Sequence, residues 1–145
     1  MDAYEGACPR GRHAVYRLDG SDSCVSTARA CTREYLEHCA RPVPDTAEGD
    51  VLVLVSELVT NAVVHAPGPC SLYLVEDDAE LTIAVSDSST VLPHPRSPDV
   101  ERGGGFGWFL LRRLARRIDV YVRPPWGKTV CATVRIFNCA ALVAG

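Results

Sequence analysis

The chain has 145 residues, 47% of them hydrophobic and 23% charged, with a formal net charge of -3. This is the size and composition of one globular domain, able to bury roughly two thirds of its unfolded surface, and it excludes a disordered chain. The acidic balance argues against a nucleic-acid or anionic-membrane surface, and no apolar run approaches the roughly 20 residues that span a bilayer.

Residues 1–12 are small, polar and Gly/Pro-containing, lack the apolar stretch of a signal peptide and read as a flexible N-terminal arm, so a cytoplasmic protein is expected. His13–Leu18 alternates weakly and predicts a first strand. Capping residues at 21–26 open a helix over 25–40, where Val25, Ala28, Cys31 or Thr32, Tyr35, Leu36 and Cys39 recur at helical spacing. Pro42 and Pro44 stop it. Acids between Asp45 and Asp50 then lead into a second helix over 51–66, closed by Pro67 and Gly68.

Two β-like runs, Ser71–Val75 and Leu81–Ser86, flank the acidic turn 76–80 and predict a hairpin. Residues 88–104 hold three prolines and little apolar material, a long loop of the kind that serves as a lid or stays disordered. A third helix is expected over 106–117, with Phe109, Leu110 and Leu114 apolar and the arginines outward. Ile118–Val122 and Thr129–Phe137 predict strands around the Pro-Pro-Trp-Gly turn at 124–127, and 139–145 remains a tail. The order β-α-α-β-β-loop-α-β-β predicts one α+β domain over 13–138. It should be a two-layer sandwich with its helices on one face of a mixed, largely antiparallel sheet.

The seven cysteines (Cys8, Cys24, Cys31, Cys39, Cys70, Cys131 and Cys139) are odd in number, widely spread and without any C-x-x-C pair. They read as reduced thiols packed as small hydrophobes rather than as a zinc site or a disulfide framework.

Three clusters carry possible chemistry. On the second helix Val55, Leu58, Val59, Ala62 and Val63 form an apolar stripe, while Glu57 and Asn61 stack on the opposite face with His65 a turn further on. A carboxylate and a carboxamide flanked by Val53, Leu54 and Val64 are costly to bury without a partner. They mark either a ligand or metal site or a polar pair satisfied by backbone on a half-exposed edge. The run Gly103, Gly104, Gly105 and Gly107 opens the third helix, where backbone N–H groups and the helix dipole favour an anion; glycines that merely cap a loop are the alternative. Asp87 ends a strand, able to accept from a base's amino group or simply to start a turn. The dinucleotide fingerprint fails because Leu110 stands where its third glycine belongs. Gly127-Lys128-Thr129 imitates a Walker A ending but has Val122 in place of the required glycine.

Together these clusters resemble the motifs of the GHKL superfamily (the Bergerat, or histidine-kinase-like, ATPase fold), and most closely its anti-sigma-factor serine/threonine kinases. The run from Glu57 through Asn61 and Ala62 to His65 resembles the N box, and Asp87 falls where the family binds the adenine amino group. Gly105-Phe-Gly107-Trp108 resembles the phosphate-binding glycine box, and Thr129 after Gly127 matches a threonine at the adenine end. One departure is Ser89, where the family usually has glycine.

The resemblance implies ATP as ligand and Mg²⁺ held by Asn61, with Glu57 as catalytic general base. Gly103, Gly104, Gly105 and Gly107 would hold the phosphates, His65 would order their end of the site, and Asp87 and Thr129 would hold adenine. It further implies transfer of the ATP γ-phosphate to a serine or threonine of a STAS-type anti-anti-sigma protein, with a sigma factor as opponent, and work as a homodimer. The competing expectation is a nucleotide-gated binding module that sequesters a partner without turnover. Retention of both Glu57 and Asn61 favours the enzyme.

Overall fold

Alternation along the strands sorts apolar from polar side chains onto two faces of one sheet, and the helices cover the apolar face. The computed structural model describes residues 12–39, 41–66, 68–91 and 107–137. Along these run β1 (His13–Leu18), α1 (Cys24–Glu37), α2 (Asp45–His65), β2 (Cys70–Asp77), β3 (Glu80–Asp87), α3 (Gly107–Leu114), β4 (Arg117–Arg123) and β5 (Gly127–Arg135). The five strands lie in the order β1-β2-β3-β5-β4, and each neighbouring pair is antiparallel. The α+β sandwich expected from the sequence is therefore present, with a sheet antiparallel throughout rather than mixed. The reason is that β4 and β5 form a hairpin whose second strand docks against β3.

Register defines the inner face. Leu72 pairs with Val85, Leu74 with Ile83, Ile83 with Ala132 and Val85 with Val130, and all of these are buried. From the helix layer Val51, Leu54, Val55, Leu58, Val59 and Ala62 of α2 pack on them, each almost wholly removed from water. A fully buried Val or Leu contributes about 1.5–3 kcal/mol, so this seam is the main source of cohesion. Arg29 of α1 reaches across to α2, donating to Ser56 Oγ at 2.8 Å and to the Leu52 carbonyl at 3.4 Å. Among the described residues no helix is long and apolar enough to cross a membrane.

Several boundaries differ from the expectation. Helix α2 begins at Asp45, six residues early, because Asp45 and Glu48 fall in its first turn where carboxylates complement the helix dipole. Arg12, assigned to the arm, is docked instead: its guanidinium lies over the Tyr35 ring and donates to the Tyr35 carbonyl at 3.0 Å. In α3 the anchor is Leu111, fully buried, whereas Phe109 and Leu110 are exposed. The short helix meets the core along the line of Leu111 and Leu114, so Leu114 packs inward as expected while Phe109 and Leu110 fall out of phase with it. The described cysteines (Cys24, Cys31, Cys39, Cys70 and Cys131) are free thiols, two of them buried, while Cys8 and Cys139 lie outside the described residues.

This phase difference sets a test. Leu111→Ala should cost about 2–5 kcal/mol in urea unfolding, as for other buried leucines, while Leu110→Ala should cost under about 1 kcal/mol. Equal losses would place the α3 anchor elsewhere.

Candidate functional site

Helical phase decides where the polar residues of α2 lie. At about 100° per residue, Asn61 borders the buried stripe beside Leu54, and Glu57 lies about 40° further round, toward the face opposite the stripe as expected. Both are half-buried, and His65 continues the row as an exposed residue at the end of the helix. Leu54 belongs to the core, and Val64 is exposed, so the acid and amide are not enclosed by valines as expected. The edge that carries Ser56 is tied to α1, so the Glu57–Asn61 row lies on the side of α2 turned from α1.

The sheet brings Asp87 to the same end of the sandwich. Only residues 66–69 separate the end of α2 from β2, and the first residues of β2 lie beside the last of β3, where Ser71 pairs with Ser86. Asp87 follows Ser86, and its side chain belongs to the inner face with Val85. Its carboxylate contributes, after burial and the nearby Cys24, to pushing the Cys70 thiol up to about 11. The C-terminal half of α2 and Asp87 therefore share one end of one face.

The carboxylate of Asp87 is already engaged. Lys128, its register partner on β5, donates through Nζ to Oδ1 at 3.0 Å and Oδ2 at 2.9 Å, and the Ser89 N–H donates to Oδ1 at 2.9 Å. The two side chains are 5% and 6% exposed, so this is a buried ion pair. Gly127 makes it possible: its φ is +141°, and a Cβ there would overlap the Asp87 carbonyl, so only glycine lets β5 start this close to β3. Lys128 is the site residue that the sequence reading missed, having been weighed only as a Walker A lysine. Its signal was its position next to Gly127 at the start of a strand.

The remaining expectations divide. Thr129 does not join Asp87: the alternation of β5 turns it to the outer face, where its hydroxyl meets Ser86 Oγ at 2.6 Å. Gly107 is the first residue of α3, which packs on α2. Gly103, Gly104 and Gly105 lie outside the described residues. Ser89, in place of the expected glycine, keeps the turn closed: its N–H caps Asp87 and its Oγ accepts from the Val91 N–H at 3.1 Å.

Glu57 is raised above the ordinary glutamate pKa by burial. Its environment therefore favours the proton-bearing form, as suits a group that must take up a proton. For a magnesium ion, Glu57 and Asn61 offer a carboxylate and an amide oxygen, which suit a hard cation. No three acidic, His or Cys side chains converge into a metal cage among the described residues.

Residues 21–134 match the family model described as the histidine kinase-like ATPase domain. Among solved structures, the chain is similar to the crystal structure of the RsbU and RsbW domains of Rv1364c from Mycobacterium tuberculosis. The TM-score is 0.64 at 19% identity, over 86% of this chain and 32% of that one. This chain thus spans about a third of the length of that structure. Comparison with curated proteins gives no match.

Two outcomes test the electrostatics. Lys128→Met strands a buried carboxylate and should cost about 3–5 kcal/mol in unfolding free energy, most of it recovered in the double variant Asp87→Asn/Lys128→Met. For Glu57 the folded state holds its proton more tightly than the unfolded state, so its contribution falls as pH rises from the unfolded to the folded pKa. Glu57→Gln should therefore match the wild type in acid and exceed it in stability above that window. A difference unchanged with pH would show that Glu57 is not desolvated.

Proposed function

The chain belongs to the histidine kinase-like ATPase family, and on that premise we propose that it is an ATP-binding protein serine/threonine kinase of the anti-sigma type. The observation that carries this reading is the convergence of the Glu57–Asn61 row and Asp87 at one end of the helix-covered sheet face. The family places its nucleotide between such elements. The likeness to a structure containing an RsbW domain supports the same branch.

In this reading Asn61 holds Mg²⁺ through its amide oxygen, and the ion, when bound, neutralises charge on the ATP phosphates. Glu57, desolvated at the edge of the core, takes the proton from the attacking hydroxyl of a partner's serine or threonine. The glycine segment and the start of α3 receive the phosphates, His65 lies at their end of the row, and Asp87 accepts from the adenine amino group. The substrate is a STAS-type anti-anti-sigma protein, a sigma factor is the opposing partner, and the kinase acts as a homodimer. Phosphoryl transfer asks mainly for positioning and charge stabilisation, so this short set of side chains suffices.

Incubation with Mg·ATP labelled at the γ-phosphate and a STAS-type partner tests the reading. Wild type should label the partner on serine or threonine. Glu57→Gln should bind ATP within about twofold yet transfer phosphate at least about 100-fold more slowly, the range for loss of a general base. Unaltered transfer by Glu57→Gln would remove that residue from the mechanism. Tight ATP binding without any transfer by wild type would instead establish a non-catalytic, nucleotide-gated module.

A further inference from the structure

Lone-pair accounting at Asp87 assigns a role to Lys128 that the nucleotide reading, on which this inference rests, does not contain. An ionised carboxylate offers about four acceptor sites. Among the described residues Oδ1 receives the Ser89 N–H and Lys128 Nζ, and Oδ2 receives Lys128 Nζ alone, so one site on Oδ2 stays open there. The ammonium has three hydrogens. One is shared between the two oxygens of Asp87, and among the described residues the others meet only the Ser89 carbonyl at 3.5 Å, beyond ordinary hydrogen-bond length. The buried pair therefore presents one acceptor and one donor side by side on the inner face, held by register and by the close approach at Gly127.

We propose that Asp87 and Lys128 read the nucleotide base as a unit, with Lys128 as a second specificity-determining residue. Asp87 Oδ2 accepts from the exocyclic amino group, and Lys128 donates to the unprotonated ring nitrogen beside it. The ligand class is a base with an amidine edge, donor next to acceptor, which adenine supplies through its amino group and N1. Guanine offers a carbonyl oxygen and a protonated nitrogen in those two places, so both contacts invert. Lys128 is then the difference between tolerating a purine amino group and recognising adenine by two adjacent atoms. Because the pair is neutral as a whole, an uncharged base meets it without having to displace the lysine.

The test compares ATP with 1-deazaadenosine 5′-triphosphate, which keeps the amino group and loses N1, by calorimetric titration of the full chain. Wild type should bind ATP at least about tenfold more tightly, as expected for one charge-assisted hydrogen bond. In Lys128→Met that ratio should fall below about twofold. The double variant Asp87→Asn/Lys128→Met, which leaves no buried charge and keeps an acceptor at position 87, should show the same small ratio and serves if the single variant does not fold. A purely structural lysine would change both affinities together and leave the ratio intact. Equal binding of the two triphosphates by wild type, or a ratio preserved without Lys128, overturns the proposal. Failure of wild type to bind either one overturns the nucleotide reading itself, a result distinct from equal binding.

Discussion

The packing of α2 on the inner face of β2, β3 and β5 is the constraint from which the rest of the molecule follows. A helix has one rotational phase that buries Val51, Leu54, Val55, Leu58, Val59 and Ala62 together. Once that phase is set, Glu57 and Asn61 have no choice of direction: they lie on the side of α2 turned from α1. Half-burial is the chemically useful outcome. A fully exposed acid would keep its ordinary proton affinity, and a fully buried one would need a permanent partner. The seam thus fixes the stability of the sandwich and the electrostatic character of its candidate base at once.

At the sheet, the corresponding constraint is the close approach of β5 to β3. A buried ion pair contributes little net stability, because desolvation offsets most of the attraction. The Asp87–Lys128 pair is therefore poorly explained as reinforcement, and an apolar pair at these two register positions would hold the strands at least as well. Its hydrogen-bond pattern is the more informative property. Both Asp87 oxygens meet the one ammonium, and the two side chains are buried. Gly127 is the enabling residue, since any side chain there would push the two strand ends apart.

Much of this was legible in the sequence where a period was long and its boundaries chemical. The α2 stripe from Val55 to Val63 repeats over about two and a half turns, and the strand runs at 71–75 and 81–86 alternate cleanly, so their identity and pairing were readable. The acid–amide spacing on α2 and the strand-end aspartate were likewise readable as candidate chemistry. What escaped depends on phase or on distant partners. Eight residues of α3 give barely two turns, too few to separate Leu111 from Leu110. The period placed Glu57 away from the stripe but did not show that it is half-buried, because the sequence does not give the width of the covered arc. Thr129 and Lys128 are neighbours on opposite faces of β5, and only the register against β3, 41 residues away, decides which of them meets Asp87.

The strand order has one more consequence. Strand β5 is the last of the five along the chain, yet it lies inside the sheet, between β3 and β4. During synthesis, β1 to β3 can pair while β3 still offers an open edge, and the wall carrying Asp87 must wait for Lys128 to leave the ribosome. A nascent chain stalled before residue 127 would keep the α2 acid and amide but leave Asp87 without its ion-pair partner. Completion of the sheet and formation of the Asp87–Lys128 pair are thereby placed at the same step of synthesis.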